Sequence, residues 1–170
     1  TKYLLKQLTA LPLQDQTFLE LGAGNGLISI SAAKHGAQVT ASDISELVVK
    51  TLKQNALDNN VSIQIIKSDL FNQIPKQTFD IIAINPPYYP KQARNDLEMA
   101  WYCGVNFEYF QALFSQIKDY MDTSSLVLMV LSDGCDIAKI TSIAKTNGLS
   151  FTLFHQQKIW WEKEFIFRIQ

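Results

Sequence analysis

Two short segments of this 170-residue chain bring together residue types that could do chemistry. One is Asn85-Pro86-Pro87-Tyr88, followed by Tyr89-Pro90. Successive prolines terminate a ladder or a helix and stiffen the chain around them. That explains Pro86 and Pro87, but not an amide side chain held just before them and an aromatic ring just after. Both suit a planar nitrogen. The lone pair of an amide or arylamine nitrogen is delocalised, and its proton is too weakly acidic for an ordinary general base to remove. If the Asn85 side-chain carbonyl and the Pro86 main-chain carbonyl each accept one N–H, the nitrogen is fixed and its lone pair can be turned towards an electrophile. Pro87 restricts Pro86 to extended geometry, which directs that carbonyl. Tyr88 would pack against the flat acceptor.

The other segment is Glu20-Leu21-Gly22-Ala23-Gly24-Asn25-Gly26. Glycine lets a chain turn tightly and lets a ligand lie against the main chain. The spacing is Gly-x-Gly-x-Gly rather than the dinucleotide fingerprint, and by itself such a run is only a flexible turn. Its company matters more. Asp43, followed by Ile44, and Asp69, followed by Leu70, each come at the end of a later β-rich run. A carboxylate accepts hydrogen bonds without donating, so Asp43 could hold both hydroxyls of a ribose. The structural alternative for Asp69 is capping of a turn.

The elements that must position these residues emerge from the alternation of short β-rich runs with helical periodicity. Strands are expected at 17–21, 38–42, 62–66, 79–84 and 126–131. Helices are expected at 27–34, at 45–59 with Ser45 as N-cap, at 106–121, and at 136–145 with Asn147-Gly148 as the stop. Open α/β sheets bind ligands outside the carboxyl ends of their strands, and four strand ends here carry the polar or glycine-rich segments. The last two runs, 151–155 and 165–169, are joined by nine residues. A parallel crossover needs more, so they should form an antiparallel pair. The expectation is an α/β fold with a mostly parallel sheet, helices on both faces, a C-terminal antiparallel hairpin, and one domain over residues 1–170.

With 15 basic and 16 acidic residues, the chain lacks the basic surplus of a free-standing nucleic-acid binder. Cys103 and Cys135 form no CxxC pair, so neither a disulfide framework nor a metal site is expected. The longest apolar run, 126–131, is far too short for a membrane span. Thr1 stands where a methionine would begin a chain, and no signal-peptide pattern comes after it, so a cytoplasmic protein trimmed at its start is expected.

The glycine loop with Glu20 and Asp43 resembles motifs I and II of the class I S-adenosylmethionine (AdoMet) dependent methyltransferases, a Rossmann-like fold with a seven-stranded sheet. The resemblance implies AdoMet as cofactor. It also implies cofactor contacts from Glu20, Gly22, Gly24, Gly26, Asp43, Ile44, Asp69, Leu70 and Asn85. In that family the glycine loop passes under the methionine part, the acid after the second strand holds the ribose, and the residue after the third meets the adenine amino group. Asn85, Pro86, Pro87 and Tyr88 resemble the catalytic tetrapeptide of enzymes that methylate planar nitrogens, namely adenine N6, cytosine N4 and the glutamine amide of translation release factors.

With Pro90, the segment is most similar to the HemK/PrmC glutamine methyltransferases. Thr1 before Leu4-Leu5, the 100–106 stretch and the closing Trp160-Trp161-Glu162 extend the likeness. Two departures stand out. Where the family has Gly-Gly-x-Asn/Asp-Gly, this chain has Cys103-Gly104-Val105-Asn106-Phe107, and it shows no N-terminal helical domain for docking a release factor. Single-domain members work with a small partner subunit, so an activating subunit or a different protein substrate, lysine included, is implied. An adenine-N6 methyltransferase acting on RNA or DNA is the competing reading, disfavoured by the charge and by the lack of a recognition segment. An inactive scaffold ranks last, since the motifs are intact.

Other conspicuous residues have plainer readings. His35 suits a helix C-terminus, and His155 lacks ligand company. Cys103 reads as a small buried thiol. At least one of Trp160 and Trp161 should be core, because neighbours on a strand face opposite ways. Lys91 and Arg94 read as solvated charges that could also touch a substrate.

Overall fold

The computed structural model describes every residue except Trp160, together with all side chains apart from those of Asp96, Leu97, Ile159 and Glu162. Seven strands form one sheet in the order β3-β2-β1-β4-β5-β7-β6. They are β1 (Thr17–Leu21), β2 (Gln38–Asp43), β3 (Gln64–Lys67), β4 (Ile81–Ile84), β5 (Leu126–Ser132), β6 (Phe151–Ile159) and β7 (Glu162–Ile169). The first five pair in parallel, whereas β7 runs antiparallel to both β5 and β6. The helices are α1 (Lys2–Leu8), α2 (Leu27–Lys34), α3 (Glu46–Asp58), α4 (Asp96–Met99), α5 (Glu108–Gln116) and α6 (Ile137–Thr146).

Strand side chains alternate between two cores. Val127, Met129 and Leu131 of β5 join Leu19, Leu21, Phe110 and Phe114 on the face covered by α5 and α6. Leu128 and Val130 point the other way, into a cluster with Phe18, Ile28, Ile81 and the α1 residues Tyr3, Leu4 and Leu8. Period-two alternation between two covered faces is why the central strands read as unbroken apolar runs.

Several expected boundaries move, each for a local reason. β3 begins at Gln64 rather than Ser62, because its pairing with β2 starts at Thr40↔Gln64. β4 begins at Ile81, since Phe79 N–H is drawn to the Tyr120 carbonyl and the Asp80 carboxylate takes the N–H and hydroxyl of Thr17. Ser45 sits at the N-cap of α3 but its hydroxyl caps nothing; instead Asp43 Oδ1 accepts from Ser45 N–H at 3.0 Å. The helix expected over 106–121 starts at Glu108 and tightens into a 3₁₀ turn at Ile117–Tyr120. Phe107 precedes it in the left-handed region, φ 62°. This is the position where the family pattern has its last glycine. Phenylalanine holds this left-handed turn at a backbone cost of roughly 1–2 kcal/mol and buries its ring in exchange. The hairpin is longer than expected, with β6 and β7 paired from Phe151↔Ile169 to Ile159↔Glu162. Trp161 is 85% exposed, and the expectation placed on Trp160 lies outside the described residues.

Periodicity did not mark α1. Neither did it mark α4, which breaks the segment after Pro90. No helix among the described residues is long and apolar enough to cross a membrane.

Candidate active site

The strand order reverses between β1 and β4: β1 leads out to β2 and β3, β4 to β5 and β7. Such a switch point opens a crevice at the carboxyl ends of the two strands. The glycine loop leaves β1 there, and Asn85-Pro86-Pro87-Tyr88 leaves β4 there.

The glycine loop is braced from below. Ala23 N–H donates to the Ser42 carbonyl at 2.9 Å, and Asn55 Nδ2 of α3 donates to the Asn25 carbonyl at 2.8 Å. Gly22 and Gly24 have φ of 70° and 55°, and a Cβ at either would meet nothing within 4 Å. The main chain therefore presents an open cradle on its outer side. Gly26 is there for a different reason. It is buried at the start of α2, and a Cβ there would lie 2.1 Å from Leu52 Cδ1.

Glu20 sits under the loop. Its Oε2 accepts from Ser29 N–H at 2.9 Å and from the Ser29 hydroxyl, which ties β1 to α2. Burial pushes this carboxyl up to about 8, against the lowering effect of Ser29. Asp43, by contrast, is half-buried and accepts from Gly24 N–H at 3.1 Å through Oδ2. Ile44 beside it is exposed. Asp69 is exposed too, and among the described residues no hydrogen bond or ion pair engages its carboxylate. The turn capping weighed as its structural alternative is done by Ser68, whose hydroxyl oxygen accepts from Gln73 N–H at 3.1 Å. Leu70 comes next in the left-handed region, φ 47°. An open cradle, a carboxylate at its edge and a second carboxylate facing solvent fit a nucleoside-bearing ligand.

A residue that periodicity passed over completes this side. Tyr109 lies off the apolar stripe of α5. Burial, with the Asp43 and Asp69 carboxylates adding to it, holds its hydroxyl well above the usual phenol range. Tyr109 therefore stays protonated and can donate or accept.

The other side is a cleft of about 270 Å³ lined by Thr1, Asn85, Pro86, Pro87, Tyr88, Ala100, Trp101, Ser132 and Glu164. Asn85 is exposed here. Its Nδ2 donates to Thr1 Oγ1 at 2.7 Å, while its carbonyl oxygen meets no donor among the described residues. Tyr88 is half-buried, and burial raises its hydroxyl. Ser132 and Glu164 face each other across the β5–β7 ladder, and Gln157 Nε2 donates to Glu164 Oε2 at 2.6 Å. Sequence reasoning missed Ser132 and Glu164 as cleft residues, because nothing near them in the chain marks them, and it took Thr1 only as part of the likeness before Leu4-Leu5 and gave it no place in a cleft.

The segment closing the cleft is firmly folded. Tyr89 and Tyr102 pair as an isolated bridge, Lys91 Nζ lies 4.8 Å from the Tyr102 ring centre, and Arg94 forms an ion pair with Glu98. Lys91 and Arg94 thus have partners within the loop. Cys103 beneath it is buried, which pushes its thiol up to about 11. Neither histidine joins the site: His35 bonds the Ser31 carbonyl, and His155 bonds the Tyr3 hydroxyl. Among the described residues no cluster of His, Cys, Asp and Glu could hold a metal. A second cleft of about 430 Å³, lined by Met121, Ser125 and Leu149, lies at the opposite end of β5 and contains none of the motif residues.

Comparison with known proteins gives the family and the fold. Residues 1–102 match the model of the methyltransferase small domain family. The chain belongs to that family. Among curated relatives of this chain, a Methanocaldococcus jannaschii protein provisionally named a protein N5-glutamine methyltransferase is 46% identical over 88 residues, 51% of this chain and 43% of its own. The release factor glutamine methyltransferase of Streptococcus pneumoniae is 30% identical over 123 residues, 71% of this chain and 41% of its own. The chain thus spans less than half the length of either relative. Both names agree with the resemblance carried by Asn85 to Tyr88.

Solved structures show the same Rossmann-like methyltransferase fold. The E. cuniculi Mtq2–Trm112 complex, described as responsible for methylating the termination factor eRF1, superimposes with a TM-score of 0.74 at 17% identity, covering 99% of this chain and 93% of that one.

Proposed function

We propose that this chain transfers a methyl group from S-adenosylmethionine to a planar amide nitrogen, the glutamine side chain of a translation release factor or a related protein. The observation that carries the reading is the meeting, at one switch point, of the open Gly22–Gly24 cradle with the unengaged Asn85 carbonyl. The relatives' names supply the substrate class.

When bound, the cofactor supplies an electrophilic methyl on a sulfonium. The residues of this chain do the rest. Gly22 and Gly24 leave room for the ligand against the main chain, and Asp43, which fixes Gly24, would hold the ribose hydroxyls. Asp69, Leu70 and Ile44 would flank the adenine, and Glu20 supports the loop from beneath. Asn85 Oδ1 and the Pro86 carbonyl accept the two N–H groups of the acceptor amide, which positions the nitrogen and stabilises the positive charge that develops on it. Tyr88 packs on the amide plane, and Pro87 keeps the turn extended. As the N–CH₃ bond forms, the S–CH₃ bond breaks to leave a thioether, and the nitrogen, now strongly acidic, loses one N–H proton to water, so no titrating base is needed.

A protein acceptor is favoured over RNA or DNA by the cleft rim. Arg94 is neutralised by Glu98, Lys91 lies on Tyr102, and Glu164 adds a negative charge. Phosphates would find little to bind. A small activating subunit is part of the proposal, as in the E. cuniculi complex, and α3 exposes the apolar side chains Leu47 and Leu57 to such a partner. The reading treats residues 1–170 as one catalytic domain working in the cytoplasm.

Labelled S-adenosylmethionine, offered with a release factor and separately with total RNA, tests it. Label in the release factor, lost on changing its acceptor glutamine, is expected. Label in RNA alone would overturn the protein-substrate reading.

A further inference from the structure

The acceptor role assigned to Asn85 creates a geometric problem that the motif itself does not solve. The terminal torsion of asparagine is broad and two-fold, and Asn85 is exposed. Left alone, its amide would sample orientations that point NH₂ rather than the carbonyl oxygen at an incoming N–H, and donor facing donor is repulsive. Something must hold the amide.

We propose that Thr1 is the positioning residue for Asn85. Thr1 Oγ1 accepts from Asn85 Nδ2 at 2.7 Å, across 84 positions of sequence, and both residues line the same cleft. This rests on the reading of Asn85 as the acceptor of the substrate N–H. A hydroxyl can accept or donate. An incoming N–H can only donate, so it selects the arrangement in which Thr1 takes Nδ2–H and Oδ1 is left free. Fixing the amide before the substrate arrives removes an ordering cost from the reacting complex.

The ordinary role for a threonine at this place does not account for the contact. Thr1 is the N-cap residue of α1, where a hydroxyl usually accepts from the first free amides of the helix. Here it makes no such bond. α1 itself is anchored without Thr1, through Tyr3, Leu4 and Leu8 in the core and the bond between the Tyr3 hydroxyl and His155. The helix is therefore a rigid mount that delivers one hydroxyl to the end of β4.

The test needs neither cofactor nor acceptor for its first reading. The side-chain NH₂ signals of Asn85, assigned by their loss in Asn85→Ala, should be dispersed and slow to exchange with water in the wild type. They should collapse to the positions of a solvated asparagine in Thr1→Val and return in Thr1→Ser, with the melting temperature unchanged because no cap is lost. Thr1→Ala makes the same comparison without a branched side chain in the cleft. In methyl transfer to a release factor, Thr1→Val should lower kcat by roughly tenfold, the worth of about one hydrogen bond, while cofactor affinity holds and Thr1→Ser restores the rate. Unmoved Asn85 signals in Thr1→Val, or a Thr1→Ser variant that falls as far as Thr1→Val, would overturn the proposal. If the wild type methylates nothing offered, the proposed function fails, while the amide signals still decide the role of Thr1.

Discussion

The two loops that meet at the crevice are built on opposite principles. The glycine loop is held by its surroundings: Ser42 takes one of its amides, Asn55 one of its carbonyls, and Gly26 wedges against Leu52. Its own side chains contribute little. The loop after β4 is stiffened by its own composition, two prolines that remove torsional freedom before Tyr89 pairs with Tyr102, while the Asn85 side chain stands exposed in the cleft with Thr1 as its hydrogen-bond partner among the described residues. A surface that binds a flexible ligand through main-chain shape can be set by packing alone. A side chain that must meet two N–H groups in a fixed orientation needs a stiff backbone and a separate tether.

That contrast predicts effects of different kinds. The largest is expected on the stiff loop: Asn85→Ala should lower kcat by roughly 10²–10³-fold, the range seen when one preorganised hydrogen-bonding group is removed from a reaction site, with cofactor affinity nearly intact. Single-turnover rates and cofactor titration separate the two, and near-normal turnover would refute the acceptor role. Asp43→Ala should act the other way round, weakening cofactor binding by about ten- to a hundredfold through loss of a charged acceptor, while saturating cofactor recovers most of the rate. Calorimetric titration measures it.

A smaller effect is expected where packing alone decides. Gly26→Ala places a methyl against Leu52 at positive φ and should cost about 1–3 kcal/mol in denaturant unfolding. Gly22→Ala has the same sign of φ but open space, so it should cost less stability and more cofactor affinity. Equal stability losses for the two would mean that packing does not distinguish them.

An effect of another kind, read only in the pH dependence of stability, concerns Glu20. Its carboxyl is raised from 4.5 to about 8 in the folded chain, so the folded state binds the extra proton between those values. Stability from this group is complete below about pH 4.5 and is lost as pH rises through about 8. Glu20→Gln should flatten that part of the stability-versus-pH curve, read by urea unfolding at several pH values.

Much of this was legible in the chain. β1 and α2 fall where periodicity put them, and the parallel core with its antiparallel hairpin is set by spacing, because a nine-residue connection cannot carry a crossover. Boundaries slipped where a side chain captured a backbone group, as Asp80 does at Thr17, or where a strand outlasts its partner, as at Ser62. α1 stayed hidden because its seven residues complete too few turns for a period to register, and Tyr109 because it lies off the stripe that defines its helix.

The sequence by itself determined the chemistry of each loop. Glycine and proline act on their own torsions, and an asparagine or aspartate at a strand end brings its acceptors wherever that strand goes. Only the tertiary structure decided what those groups meet. Thr1 reaches Asn85 because α1 packs on one face of the sheet near the end of β4, and Glu164 reaches the same cleft because β7 turns back beside β5. Such meetings depend on strand order and register, which are properties of paired segments, and no residue carries them alone.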